Sequence, residues 1–421
     1  MQISEIKKCR ICGNDQFITV IDLGDQALSG RFPKAEDPDP PRAPLELVMC
    51  DTKKNPDACG LVQLKHSVPP LEMYTRDYGY RSGINKTMSD HLAEITGNVQ
   101  KIARLEKNDI VLDIGSNDGT LLKSYSRDDI RRIGIDPGGE QYRKYYPATI
   151  RLVSDFFTAA NFRSVSPQKK AKIITSIAMF YDLEKPMEFV DNIRQILHKD
   201  GVWVLEQSYL PAMLEMNSFD TICHEHLEYY AFSQINWMLR QNSLKAIDIE
   251  LNETNGGSFR LSVAHADSAL QPNSAALDKV IEAEHTLNLE TRRPYQDFCT
   301  RVEKTRTELN TFLQTEKARG KKIFVYGAST KGNVLLQYFG IDFSVITAAA
   351  DRNPEKWGSR TPGTNIPIIS ETEAREQKPD YFLVLPWHFK DEFLERESRF
   401  LKDGGKFIFP LPEMEIVSRT G

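Results

Sequence analysis

The sequence has no stretch of about 18 consecutive apolar residues, the length a membrane-spanning helix needs. Its first residues, MQISEIKKCR, lack the apolar run of a secretory leader, so a soluble, cytoplasmic chain with no membrane partner is expected. Basic charge is not in surplus either. Against 54 Lys and Arg stand 59 Asp and Glu, net −5, and the electrostatic footprint of a nucleic-acid binder is missing. A small, localised anionic ligand is compatible with that balance. Cysteine is scarce, six in 421 residues, which argues against a disulfide framework in a reducing compartment. The length exceeds one ordinary core; at roughly 150 residues per domain, two or three domains are expected.

What cysteine there is clusters near the start, as KKCRICG and VMCDTKKNPDACGLVQ, holding Cys9, Cys12, Cys50 and Cys59. Two thiolates two residues apart form a zinc knuckle, and a second pair would complete a closed tetrahedral structural site. Eight residues, DTKKNPDA, separate Cys50 from Cys59, more than compact ribbons use, and they read as a looped insertion. Free or partly oxidised thiols are the alternative.

Residues 108–136, NDIVLDIGSNDGTLLKSYSRDDIRRIGID, run strand, small-residue turn, helix and second strand. That is the first βαβ unit of a doubly wound sheet, with a ligand site at the strand ends. The turn is not the dinucleotide fingerprint G-x-G-x-x-G. Asp113, Gly115, Ser116, Asn117 and Gly119 instead resemble the D-x-G-x-x-x-G motif of class I S-adenosylmethionine (SAM) methyltransferases. Glycine lets backbone approach the methionyl and ribose portions of such a ligand, and the acid can meet its ammonium. Asp136, 21 residues after Gly115, is placed for the ribose hydroxyls. A tight turn with a capping aspartate is the plainer alternative.

The alternation continues through KKAKIITSIAMF, MEFVDNIRQILHKDG and VWVLEQSYL as strand, helix and strand, and LKAIDIELNETNGGSFRLSVAHA reads as an antiparallel hairpin. From about 275 to 318, Phe298, Val302, Thr305, Leu309 and Phe312 recur at helical spacing, so one long connecting helix is expected. It leads into a second strand, glycine turn, helix and strand, KKIFVYGASTKGNVLLQYFG and onward, ending at Asp351. Here Ser329, Thr330 and Lys331 stand at a helix N-terminus, a favourable place for a phosphate, although the turn could serve packing alone. Lacking the third spaced glycine, it disfavours an NAD(P)-dependent oxidoreductase.

The segment FDTICHEHLEYY gathers a thiol, two imidazoles and three carboxylates. On an extended segment His224 and His226 would face one side, with Cys223 and Glu225 on the other. Metal ligation, a solvated polar loop and proton transfer are all open; beside a SAM site, a histidine oriented by a carboxylate can serve as a base at neutral pH.

Five blocks in order carry a resemblance over nearly the whole chain: the cysteine-rich start ending CGLVQL, YTRDYGYRSG, the SAM loop, EQSYLPAMLEMNSFDTICHEHLEYYAFSQINWML with NGGSFRLSVAH, and VYGASTKGNVLLQYFG with DRNPEKWGSRTPGTNIPI. Together they are similar to the sugar C-methyltransferase family, whose members methylate C3 of nucleotide-linked 4-keto-6-deoxy sugars. The resemblance implies an α/β architecture with a small N-terminal zinc-binding domain (1–68), a class I SAM methyltransferase Rossmann-like domain (69–270), and a linker helix with a second, C-terminal Rossmann-like domain (271–421). It implies SAM and structural zinc as cofactors, and a sugar nucleotide as substrate. His226 becomes the candidate base, Glu225 and His224 its orienting partners, and Tyr78 and Tyr80 candidate donors to an enolate oxygen, if they are not core aromatics. Ser329, Thr330, Lys331 and Asp351 would hold the sugar nucleotide. Two departures stand out. Cys223 occupies the place of a family tyrosine, and the second cysteine pair is widely spaced. A non-catalytic binding protein, with Cys223 marking lost chemistry, is the alternative of another class. The nucleotide, the sugar, the stereochemistry and the oligomeric state are not legible.

Overall fold

In a computed structural model that describes residues 3–73 and 81–418, the N-terminal part folds around strands β1 (Phe17–Ala27), β2 (Arg42–Cys50) and β3 (Val62–Leu64), paired antiparallel in that order. Tyr78 and Tyr80 lie outside the described residues. Cys9 and Cys12 sit on a tight turn closed by the Gly13 N–H on the Cys9 carbonyl, with Gly13 at φ 74°. Cys50 ends β2 and Cys59 precedes β3, and the residues between them form the expected loop.

The middle of the chain opens with helix α1 (Lys86–Ile102), whose N-terminus is capped by the Asn85 side chain. Strands β4 (Ile110–Ile114), β5 (Arg131–Ile135), β6 (Ile150–Val153) and β7 (Ala171–Ile177) follow. Helix α2 (Pro186–Ile196) begins on a proline and buries Phe189, Val190, Ile193 and Ile196, then β8 (Leu197–Ser208) returns through the core. After a short excursion come β9 (Glu228–Tyr229), helix α3 (Phe232–Gln241), β10 (Leu244–Asn252) and β11 (Ser258–His265). The sheet order is β10-β11-β8-β7-β4-β5-β6, parallel except for β11. Every residue of β4, IVLDI, is buried, as a parallel strand covered on both faces requires. Strand β9 leaves this sheet altogether. It pairs antiparallel with β3, Glu228 opposite Gln63 and Tyr229 opposite Val62, so the chain of the central domain supplies the fourth strand of the N-terminal sheet.

The expected single connecting helix is two helices, α4 (Ser274–Leu287) and α5 (Arg293–Ala318). Asn288 takes the left-handed conformation, φ 52°, which ends α4, and a proline in the first turn restarts α5. Phe298, Val302, Thr305 and Leu309 form its buried stripe. The last sheet, from β12 (Ile323–Tyr326) through helix α6 (Thr330–Phe339), β13 (Ala349–Asp351), β14 (Ile368–Ser370), β15 (Tyr381–Val384), β16 (Lys406–Phe409) and β17 (Glu415–Val417), has the order β14-β13-β12-β15-β16-β17. Five strands are parallel and the edge strand β17 is antiparallel. Among the described residues no helix is long and apolar enough to cross a membrane, and all six cysteines are free thiols.

Candidate active site

The candidate SAM loop sits at the C-terminal ends of β4 and β5, where a doubly wound sheet opens its ligand crevice. Gly115 and Gly119 have φ of 71° and 72°, and a Cβ at Gly119 would stand 3.0 Å from the Tyr146 ring. The Tyr146 hydroxyl reaches Ser116 Oγ and the Asn117 carbonyl, both at 2.8 Å. Asp136 follows β5 and accepts the Asn117 N–H at 2.8 Å and the Gly138 N–H at 2.7 Å; its carboxyl is raised by burial despite both bonds. Asp113 is buried, accepts Thr175 Oγ1 at 2.6 Å, and is pushed up to about 7 by burial. Asn117 Oδ1 accepts the Ser82 N–H, and Asp118 the Gly83 N–H, so the turn just before α1 is tied over the loop. A glycine cradle closed by an acid that is already held by backbone amides fits an adenosine-bearing ligand. Asp136→Ala is expected to weaken SAM binding by about 1.5 to 3 kcal/mol, the scale for hydrogen bonds to a charged group; calorimetry with unchanged affinity would remove Asp136 from the site.

The residues 223–226 do not run extended. The His226 N–H bonds the Cys223 carbonyl at 3.1 Å, closing a turn, and the two imidazoles diverge instead of sharing a side. His224 Nε2 donates to the Ala43 carbonyl of β2 at 3.0 Å, and burial presses its pKa down to about 4. His226 points the other way. Its Nδ1 donates to the Thr221 carbonyl at 2.9 Å, which leaves the Nε2 lone pair unclaimed by that bond. Burial, with the Lys331 ammonium next, lowers it to about 3, so the imidazole is neutral at physiological pH. The loop after β7 connects this turn to the SAM loop: Met179 lies where a Cβ on Gly115 would meet it at 3.2 Å, and the Tyr181 ring stands 4.3 Å from the His226 ring. His226 also lines a small cavity with Tyr181, Ser208, Tyr209 and Glu228.

Glu225 is buried and raised by burial, with the neighbouring Cys223 thiol opposing that shift; its Oε2 has no partner among the described residues. It lies against Gly30, where an added Cβ would come within 2.5 Å of Oε1 and 3.7 Å of Thr330 Oγ1. Three parts of the chain thus meet at one carboxyl. The Cys223 thiol is itself raised well above its ordinary value by burial and the Glu225 charge, and so stays protonated.

The C-terminal part reaches into the same place. Lys331 Nζ donates to the Asn255 carbonyl at the tip of the β10–β11 hairpin, 3.0 Å away, and burial lowers its pKa while Asp220 and Cys223 oppose that shift. Asp220 Oδ2 accepts Trp387 Nε1 at 3.0 Å, and His388 beside it is lowered to about 3 by burial and Lys331. Asp220, Trp387 and His388 are not among the site residues expected from sequence; Trp387 and His388 lie in LPWHF directly after β15, at a strand end where an α/β crevice forms, and Asp220 lies in FDTICHEHLEYY. Ser329 Oγ caps α6 by accepting the Gly332 N–H at 3.0 Å, and Asp351 accepts the Ala328 N–H at 2.9 Å and the Asn353 N–H at 2.8 Å. Asp351 therefore repeats, in the second Rossmann-like sheet, the arrangement Asp136 makes in the first.

The four N-terminal cysteines converge, with all Sγ atoms within 4.8 Å of one another and the pairs Cys9–Cys59 and Cys12–Cys50 at 3.5 Å. Tetrahedral coordination at a Zn–S distance of about 2.3 Å puts sulfurs roughly 3.8 Å apart, so the donor set fits zinc. About one zinc per chain is expected by metal analysis; a Cys9→Ser, Cys12→Ser protein that retained it would refute the assignment.

Three family models match in chain order: "Putative zinc binding domain" over residues 9–74, "Methyltransferase domain" over 84–249, and "C-methyltransferase C-terminal domain" over 253–412. The chain is 28% identical over 421 residues to the C-methyltransferase NovU of Streptomyces niveus, covering 99% of this chain and 98% of that one. Among solved structures, a SAM-dependent methyltransferase from Clostridium acetobutylicum aligns at 11% identity over 42% of this chain and 92% of its own, TM-score 0.34. An O-methyltransferase family protein from Burkholderia thailandensis aligns at 14% over 44% and 62%, TM-score 0.32. Zinc-binding, methyltransferase and C-methyltransferase C-terminal models thus match in this order over most of the chain, the domain set of a SAM-dependent C-methyltransferase.

Proposed function

We propose that the protein methylates C3 of a nucleotide-linked 4-keto-6-deoxy sugar. The observation that carries this reading is the His226 imidazole, fixed through Nδ1 with its Nε2 left out of that bond, and linked through the Tyr181 loop to the glycine turn after β4. A hydrogen on C3 is acidic because the adjacent C4 ketone takes the resulting electron pair as an enolate. His226 Nε2 accepts that proton, and the imidazolium charge is held by the Thr221 carbonyl on Nδ1. Glu225 and the Cys223 thiol form the neighbouring wall. Lys331, brought from the C-terminal part to the Asp220 and Cys223 side of the turn, is the cation for the developing C4 oxyanion. SAM supplies an electrophilic methyl on its sulfonium, the carbon–sulfur bond breaking as the new bond to C3 forms and the ketone returns. Ser329, Thr330 and Asp351 face the sugar nucleotide's diphosphate and nucleoside, next to the lysine that meets its sugar. The NovU relative, a C-methyltransferase matched end to end, supports the carbon acceptor.

Incubation with SAM and a panel of TDP-, GDP- and CDP-linked 4-keto-6-deoxy sugars tests the reading by mass spectrometry. A product heavier by one methylene is expected with one of them. SAM binding without transfer to any would favour a binding protein over an enzyme.

A further inference from the structure

The turn that carries His226 is held in place by the N-terminal domain at several points along its length. His224 Nε2 bonds the Ala43 carbonyl of β2 at 3.0 Å, and the Leu64 N–H bonds the Leu227 carbonyl at 2.8 Å. Glu228 and Tyr229 pair with Gln63 and Val62 as β9 on β3. At the far end, the Gln234 side chain accepts the Ala231 N–H through Oε1 and donates through Nε2 to the carbonyl of Cys59, at 3.0 and 3.1 Å.

These points run back to the cysteine cluster through two side chains. Gln63 Nε2 donates to Cys9 Sγ at 3.1 Å, while its Oε1 accepts the Arg10 N–H at 3.2 Å. Arg10 lies inside the knuckle, between Cys9 and Cys12, with its side chain only 3% exposed. Its guanidinium donates to the Leu64 carbonyl at 2.7 Å and to Ser67 Oγ at 2.7 Å, and its Nε stands 3.6 Å from Glu228 Oε1, a carboxylate with no exposed surface. A two-residue strand has little stability of its own, so where β9 lies is decided by what it pairs with.

We propose that the four-cysteine zinc centre is a positioning device for the catalytic turn as well as a staple for its own domain. Gln63 and Arg10 transmit the geometry of the knuckle to β3 and β9, and so to His226 two residues before β9. The claim rests on His226 being the base. A misplacement of about 1 Å in a reacting group can cost about 100-fold in rate, and loss of a partner that orients a metal ligand costs about 10- to 100-fold.

The test uses the full chain at saturating zinc. Gln63→Leu removes the bond to Cys9 Sγ and both bonds from Arg10, from its N–H and its guanidinium, while leaving the β3 backbone and the four cysteines. It is expected to keep its zinc and its SAM affinity, to lose about 10- to 100-fold in kcat with KM for the sugar nucleotide little changed, and to exchange the amides of residues 224–231 faster. Wild-type kcat together with wild-type exchange would overturn the proposal. A second measurement treats the native protein with a chelator and follows amide exchange by mass spectrometry. The account predicts that protection falls over 224–231 but holds over 110–136, that SAM still binds, and that added zinc restores the segment. Retained protection at 224–231, or loss over both segments together, would make zinc purely a staple and defeat the idea. The exchange readings need no substrate, so they decide positioning even if no sugar in the panel is methylated, an outcome that would count against the proposed function instead.

Discussion

His226→Asn is expected to lower methyl transfer by about 100- to 10,000-fold, the range for a general base, while SAM affinity and melting temperature stay near those of the parent. The asparagine amide can still donate to the Thr221 carbonyl that Nδ1 now meets, so the turn keeps its internal bond and loses only the Nε2 lone pair. A second readout isolates the proton step. In deuterium oxide, with sugar nucleotide and S-adenosylhomocysteine, the parent should exchange the C3 hydrogen and the variant should not. Exchange retained by His226→Asn would move the base elsewhere. His224 is a poor substitute, since its Nε2 is committed to Ala43 and its ring faces the N-terminal domain.

Lys331→Met is expected to reduce kcat by about 100- to 1,000-fold, the cost of removing a donor aimed at a developing oxyanion. The alternative, a contact to the diphosphate, predicts a different pattern: KM for the sugar nucleotide rises and kcat holds. The Lys331 ammonium bonds the Asn255 carbonyl, and its charge is felt at His226, His388 and Asp220, which places it on the His226 side of the crevice. Its pH signature has a definite sign. Burial lowers the lysine pKa, so the charged, productive form is present at low pH and is lost as pH rises through that lowered value. Activity should fall on the alkaline side earlier than a solvent-exposed lysine would allow, and Lys331→Arg should carry the limb to higher pH.

Much of this arrangement is legible in the sequence because it is local. Gly115, Gly119 and Asp136 mark the candidate SAM crevice, since a strand, a glycine turn and an acid at the next strand's end are one βαβ unit. Cys9 and Cys12 likewise form a knuckle by spacing alone. The facing of the H-E-H segment was not legible. Alternation predicts the side of an extended strand, but the bond from His226 N–H to the Cys223 carbonyl makes a turn and sends the imidazoles apart. The break at Asn288 is hidden for a different reason: the stripe from Phe298 to Phe312 lies wholly in α5, and the polar residues before it do not mark where one helix stops, which the left-handed φ of Asn288 does. Asp220, His388 and the pairing of β9 with β3 are long-range, decided by how three parts of the chain pack, and no spacing in the sequence announces them.

The central claim is that carbon, at the position next to the ketone, receives the methyl group. It is tested most directly by running the reaction with isotopically labelled methyl on SAM and a 4-keto-6-deoxy sugar nucleotide, then locating the label in the product by NMR. The account predicts a labelled methyl bonded directly to C3, formed by the parent and absent with His226→Asn. A label on a hydroxyl oxygen, or on a ring carbon other than C3, would contradict it.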